Sequence, residues 1–200
     1  MTGLALIDAG GANLGSVRYA LERLGVEARI VRDADGLRDA ERIILPGVGS
    51  AAPAMALLRE RGLVEPLRTT RLPLLGICLG MQLLFEGSDE GDVSCLGLLP
   101  GRVHKLASYP GVRVPHMGWN TLEPMTASPL LDGVDVGASA YFVHSYAAPV
   151  TDDCSAACTH GERFAAMVQR GNVAGAQFHP ERSAAVGARL LSNFLQWNGA

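Results

Sequence analysis

Residues 4–7 form an unbroken apolar run that ends in Asp8 and two glycines, which predicts a buried strand over 4–8 and a loop after it. Val17, Ala20, Leu21 and Leu24 then recur at helical spacing. Asn13 or Ser16 is placed to cap that helix, and Gly25 to stop it. Apolar stretches at 26–31 and 42–46 read as a second and a third strand, the latter running into Pro-Gly-Val-Gly-Ser. Residues 50–62 have helical spacing, 72–77 form the next apolar strand, and 79–85 the next helix. Strands alternating with helices predict an α/β fold: a mostly parallel central sheet with helices on both faces.

After Glu86 the texture changes. Glycine and proline become frequent, and short β-like runs appear at 102–106, 140–146, 155–160, 164–169 and 172–178. They are expected as antiparallel hairpins added to the sheet. The segment 183–197 has helical spacing again. Neither an internal repeat nor a low-complexity linker interrupts the 200 residues, so one domain over 1–200 is expected.

Composition narrows the function classes. Hydrophobic residues make up 48% of the chain, enough for an ordinary globular core. The net charge of −3 comes with no basic stripe, which argues against a nucleic-acid partner. No run approaches the roughly 18 apolar residues of a membrane helix, and the first residues lack the basic start of a signal peptide. No membrane association and a cytoplasmic location are expected. Cys78, Cys95, Cys154 and Cys158 form no C-x-x-C pair, so neither a disulfide framework nor a metal site is expected.

One of these cysteines stands apart. In Gly76-Ile77-Cys78-Leu79-Gly80 a buried strand should turn directly into a helix, the layout of a nucleophile elbow. The flanking glycines let strand and helix approach, and the thiol points out of the carboxyl end of the sheet. A free thiol, with a pKa of about 8.5, is only a few per cent thiolate at neutral pH. A helix N-terminus contributes about 0.3–1 kcal/mol when exposed and about 2 when buried, so a base is still required. The sequence Phe178-His179-Pro180-Glu181, after an apolar run, supplies one. A lone histidine is more often structural. Here the side chains of residues 179 and 181 share one side of an extended chain, so Glu181 can hold one ring nitrogen and leave the other for Cys78. The Leu79 N–H and the glycine-flanked loop 46–50 are candidates for an oxyanion hole. Val48 lies between two glycines, so the peptide joining it to Gly47 can rotate at little steric cost.

With these residues in place, the chain resembles the class I (triad) glutamine amidotransferases, through G-I-C-L-G-M-Q and H-P-E. The segments LPGVGS (45–50), PHMGWN (115–120), YFVHSY (141–146), QFHPERS (177–183) and the opening IDAGGANLGSV are similar to one subfamily. These are the glutaminase subunits of imidazole glycerol phosphate synthases, from histidine biosynthesis. The resemblance implies Cys78 as nucleophile, His179 as base and Glu181 as its orienter. It also implies glutamine contacts from Gly47, Val48, Gly49, Gln82, His144, Ser145 and Tyr146, with Leu79 in the oxyanion hole. No cofactor and no metal are implied. The implied partner is a separate (β/α)8-barrel cyclase subunit, which receives the ammonia and makes imidazole glycerol phosphate and aminoimidazole carboxamide ribotide. The docking surface is expected partly on His116, Trp119 and Asn120, because tryptophan is enriched where interfaces are tightest. Two positions depart from the subfamily's habit: Ala9, where an aromatic is usual, and Arg182, where a lysine is usual. The rival readings are another enzyme on the same scaffold, a redox sensor that keeps an elbow cysteine, and an inactive binding subunit.

Overall fold

A computed structural model describes residues 3–11 and 13–199; Ala12 and the extreme termini lie outside it. The first half of the chain runs β1 (Leu4–Ile7), α1 (Leu14–Arg23), β2 (Arg29–Val31), β3 (Arg42–Gly47), α2 (Ala51–Glu60), α3 (Val64–Thr69), β4 (Leu74–Cys78) and α4 (Leu79–Gln82). Then follow β5 (Phe85–Ser88), β6 (Val93–Ser94), β7 (Leu99–Lys105), β8 (His116–Thr121) and β9 (Glu123–Pro124). The chain closes with β10 (Ser139–His144), β11 (Tyr146–Ala147), β12 (Cys154–His160), β13 (Glu162–Arg170), β14 (Val173–Ala176) and α5 (Ala184–Gln196).

The main sheet has the order β2-β1-β3-β4-β14-β13-β12-β9. From β2 to β14 every neighbour is parallel, and beyond β14 the pairing turns antiparallel. Side chains alternate across it. Leu4, Leu6 and Ile44 pack with Val17 and Leu21 of α1 and Leu190 and Phe194 of α5. Ala5, Ile7, Ile43 and Leu45 pack on the other face with Met55 and Leu58 of α2 and Leu67 of α3. Both faces are therefore covered, which is why β1, β4 and β14 are apolar along their whole length.

Several sequence expectations change. The runs at 155–160, 164–169 and 172–178 join the main sheet, but those at 102–106 and 140–146 do not. β10 pairs only with β8 in a separate two-stranded sheet, and β7 lies in a four-stranded sheet with β11, β5 and β6. The helix expected over 79–85 stops at Gln82. The Leu84 N–H closes the turn on the Met81 carbonyl, three residues back, and Phe85 already opens β5, paired with Leu99 of β7. α3 and β8 were not expected at all. Asn13 does take the N-cap position of α1, but its side chain makes no capping bond there, and Ser16 lies within the helix.

Candidate active site

The cleft is assembled at the carboxyl ends of three adjacent strands. In the register of β3 on β4, Gly47 lies opposite Cys78, and β14 pairs on the other side of β4 with Ala176 opposite Ile77. The loop after β3, the elbow after β4 and the His-Pro-Glu turn after β14 therefore meet at one edge. This is where open parallel sheets carry their ligands.

The elbow is as tight as its glycines suggest. A Cβ on Gly80 would fall on the Leu45 carbonyl, and one on Gly76 would lie 2.7 Å from the Gly80 backbone. Cys78 itself has φ 53° and ψ −111°, a conformation that costs a side-chain-bearing residue about 1–3 kcal/mol. Because α4 is a single turn, the free N–H groups after Cys78 matter here more than any long helix dipole. The Cys78 sulfur is 3.8 Å from the Val143 carbonyl and 3.8 Å from the Gln177 amide nitrogen.

His179 ends β14's extension in an extended conformation, and Pro180–Arg182 form a 3-10 turn. That turn, rather than two residues of strand, brings Glu181 back to the ring: Nδ1 donates to Glu181 Oε1 at 2.8 Å. Nε2 is left facing away from the carboxylate. A Cβ on Gly187 of α5 would overlap the Pro180 backbone, so the helix holds the turn from behind by direct contact. Ser183 Oγ donates to the His179 carbonyl at 2.7 Å and accepts the Tyr141 N–H at 2.9 Å, tying the turn to β10. Burial would lower the His179 pKa, but its interactions with Cys78 and Glu181 outweigh that and raise it to about 10. Burial would raise Glu181, yet hydrogen bonds from His179 and Asn13 hold it below the usual carboxylate range.

The cleft encloses about 340 Å³. Val48, Gly49, Cys78, Leu79, Gln82, His144, Ser145, Tyr146 and His179 all line it. Gly47 stands behind this wall, packed on Leu79 and Gly80. Gln82 lines the cleft, but its amide nitrogen is already committed, to the Tyr146 carbonyl at 2.7 Å and to Gln177 Oε1 at 2.9 Å. His144 Nδ1 donates to the same Tyr146 carbonyl at 2.8 Å, and its Nε2 accepts from His116 Nδ1 at 2.9 Å. Burial drives the His144 pKa down to about 3 and that of His116 to about 4, so both rings are neutral near pH 7.

Of the three residues expected on a docking surface, Trp119 is 55% exposed and Asn120 half-buried, but His116 is buried. His116 is stacked between Phe142 and His160 and supports the cleft wall from behind instead. Arg182 lies over the Tyr141 ring, 5.5 Å from its centre, and Tyr141 meets Trp119 edge-on. The small Ala9 is buried within the loop that follows β1.

Sequence reasoning missed five lining residues: Asn13, Glu90, Pro115, Val143 and Arg182 as a wall of the cleft. Glu90 accepts the Ala51 N–H at 3.0 Å, at the start of α2. Its segment, Ser-Asp-Glu-Gly-Asp, looks like any solvated acidic turn, so nothing local marks it. Together Glu90 and Arg182 put one carboxylate and one guanidinium on the walls of an amino-acid-sized space. Among the described residues, no group of three or more His, Cys, Asp or Glu is placed to hold a metal ion. The other three cysteines are buried away from the cleft, where burial pushes Cys95 and Cys154 up to about 11 and Cys158 to about 12.

Comparison with known proteins agrees with this geometry. The family described as glutamine amidotransferase class-I matches residues 5–197. A protein of Xanthomonas campestris pv. campestris (strain 8004), named imidazole glycerol phosphate synthase subunit HisH, is 69% identical over 196 residues, 98% of each chain. A protein of the same name from Xylella fastidiosa (strain Temecula1) is 67% identical over 200 residues, the full length of both. Among solved structures, a glutamine amidotransferase aligns over 97% of each chain with a TM-score of 0.75 at 24% identity. PurLQS from Thermotoga maritima aligns over 98% of this chain and 99% of that one, with the same TM-score at 23% identity. These two share its fold. The match takes in the elbow, the cleft walls and the His-Pro-Glu turn at once, and the chain belongs to the class I glutamine amidotransferase family.

Proposed function

We propose that this chain is the glutaminase subunit of an imidazole glycerol phosphate synthase, a single amidotransferase domain over residues 1–200 acting in the cytoplasm. It hydrolyses glutamine to glutamate and ammonia and passes the ammonia to a separate (β/α)8-barrel cyclase subunit. The observation that carries this reading is the elbow cysteine opening into one cleft with the bonded pair His179–Glu181.

The chemistry follows from the residues. With its pKa raised to about 10, His179 already holds the proton on Nε2 near pH 7, and the Cys78 sulfur, as thiolate, adds to the side-chain amide carbon of glutamine. The C–N bond breaks as His179 protonates the leaving ammonia, and a γ-glutamyl thioester remains. Water, giving a proton to His179, attacks the thioester; the C–S bond breaks, glutamate leaves, and the imidazolium again faces the Cys78 sulfur. Glu181 stays ionised and orients the imidazole. The Leu79 N–H and the Val48 N–H, once its peptide is turned inward, hold the tetrahedral oxyanion. One such donor is worth about 2.7–4 kcal/mol. The reaction calls on no cofactor.

The test is Cys78→Ser in the complex with a cyclase subunit. Synthesis from glutamine should be lost, while synthesis from added ammonium salt should persist, since that chemistry resides in the partner. Near-normal use of glutamine by the variant would overturn the assignment.

A further inference from the structure

We propose that Asn13 is a positioning residue of the catalytic relay, holding the Glu181 carboxylate in place for His179. The inference rests on the glutaminase reading above and extends it by one residue.

Asn13 Nδ2 lies 2.8 Å from Glu181 Oε1, the oxygen that also receives the His179 Nδ1–H at 2.8 Å. The 3.4 Å separation of Asn13 Nδ2 from His179 Nδ1 is the result of two donors converging on one acceptor. The other oxygen, Oε2, has no hydrogen-bond partner among the described residues, and the Glu181 side chain is 1% exposed. The carboxylate therefore hangs on Oε1. Asn13 is a second donor to that oxygen from another direction, so the pair restrains the carboxylate torsion more than His179 alone would.

The position of Asn13 makes the point sharper. It occupies the N-cap of α1, where asparagine ordinarily bonds the helix's own free N–H groups. It makes no such bond. Its amide is turned instead to a residue 168 positions away and onto the wall of the cleft. The loop that carries it is anchored at its near end. Asp8 Oδ1 accepts the Gly10 N–H at 3.0 Å, Oδ2 pairs with Arg32 at 2.9 Å, and the Asp8 carbonyl accepts from Arg61.

Two variants test this. Serine caps a helix as well as asparagine does but is too short to span to Oε1. In the complex with the cyclase, Asn13→Ser should lower kcat by about 10- to 100-fold, with KM within about twofold of wild type. Asn13→Asp sets a second carboxylate against Glu181. Two carboxylates in contact hold one proton to higher pH than either would alone, and the protonated one still donates. The ratio of its kcat to wild type should therefore fall as pH rises from about 5.5 to 8. Alkylation of Cys78 by iodoacetamide in the full chain gives a readout that needs no partner. Asn13→Ser should raise the pH at which alkylation is half-maximal. A kcat for Asn13→Ser within about twofold of wild type overturns the proposal, as does a loss in Asn13→Asp of equal size at every pH. Failure of the glutaminase reading would look different: wild-type complex would release no glutamate, whatever the variants did to Cys78 alkylation.

Discussion

The interactions of His179 with Cys78 and with Glu181 decide how the base behaves with pH. His179 rises from an ordinary 6.5 to about 10 in the folded chain. A group whose folded pKa lies above its unfolded value stabilises the fold fully below the unfolded value, and the contribution disappears as pH climbs through the folded one. The stabilisation from His179 should thus be complete below about pH 6.5 and be lost between about 6.5 and 10. Glu181→Gln removes much of what holds the imidazolium. The gap in thermal midpoint between wild type and Glu181→Gln should narrow as pH is raised from about 6 to 9.5, and a gap that widened would contradict the ion pair. The same variant should turn over glutamine more slowly yet still be labelled at Cys78 by a glutamine-like electrophile, because Glu181 orients and does not carry the proton. Absence of labelling in a folded protein would make Glu181 structural.

The strands and turns that bear these side chains were unequally legible. G-x-C-x-G could be read at once, because the requirement is local: strand and helix must touch at ±2. Gly80→Ala should accordingly cost about 1–3 kcal/mol or more, read as a drop in denaturant midpoint, since its Cβ meets the Leu45 carbonyl, a backbone atom that cannot step aside. β8 could not be read, because it inverts the usual rule. It buries His116 and leaves Met117 64% and Trp119 55% exposed, so its apolar positions point outward. α4 reads too long from the sequence for the opposite reason: residues 79–85 are apolar enough for a helix, but Phe85 is drawn into β5 by its pairing with Leu99 of β7. The link between Asn13 and Glu181 joins the two ends of the chain, and no local spacing reports it.

Across the molecule, the outward-facing side chains of β8 and the cleft are joined by short contacts. Trp119 meets Tyr141 edge-on, Arg182 lies over the Tyr141 ring, and the Tyr141 carbonyl accepts the His179 N–H at 2.9 Å. A partner seated on Trp119 is therefore two side chains from the mouth of the cleft. An oxyanion donor turned away costs about 10²–10³ in rate, so rotation of the Val48 peptide in the loop at 47–49 would suffice as a switch. Glutamate release should be slow in the isolated chain, faster in the complex, and fastest with the cyclase's own ligand bound. Equal turnover in all three would refute the switch. Trp119→Ala should weaken binding of the cyclase, and truncations at such sites often cost 2 kcal/mol or more, or about 30-fold in Kd. An unchanged affinity would take Trp119 out of the interface.

The backbone at Cys78 sets activity and durability against each other. Its φ of 53° is one that glycine accepts readily and a residue with a Cβ does not. Cys78→Gly should therefore be more stable than Cys78→Ala, by about 1 kcal/mol, even though it leaves the larger void. Of the two substitutions that remove the nucleophile outright, glycine is thus the one the fold would tolerate better. Selection for stability alone would drive position 78 toward glycine, and only continued demand for the thiol keeps a cysteine there. In a lineage supplied with ammonia from elsewhere, this codon should be among the first to drift.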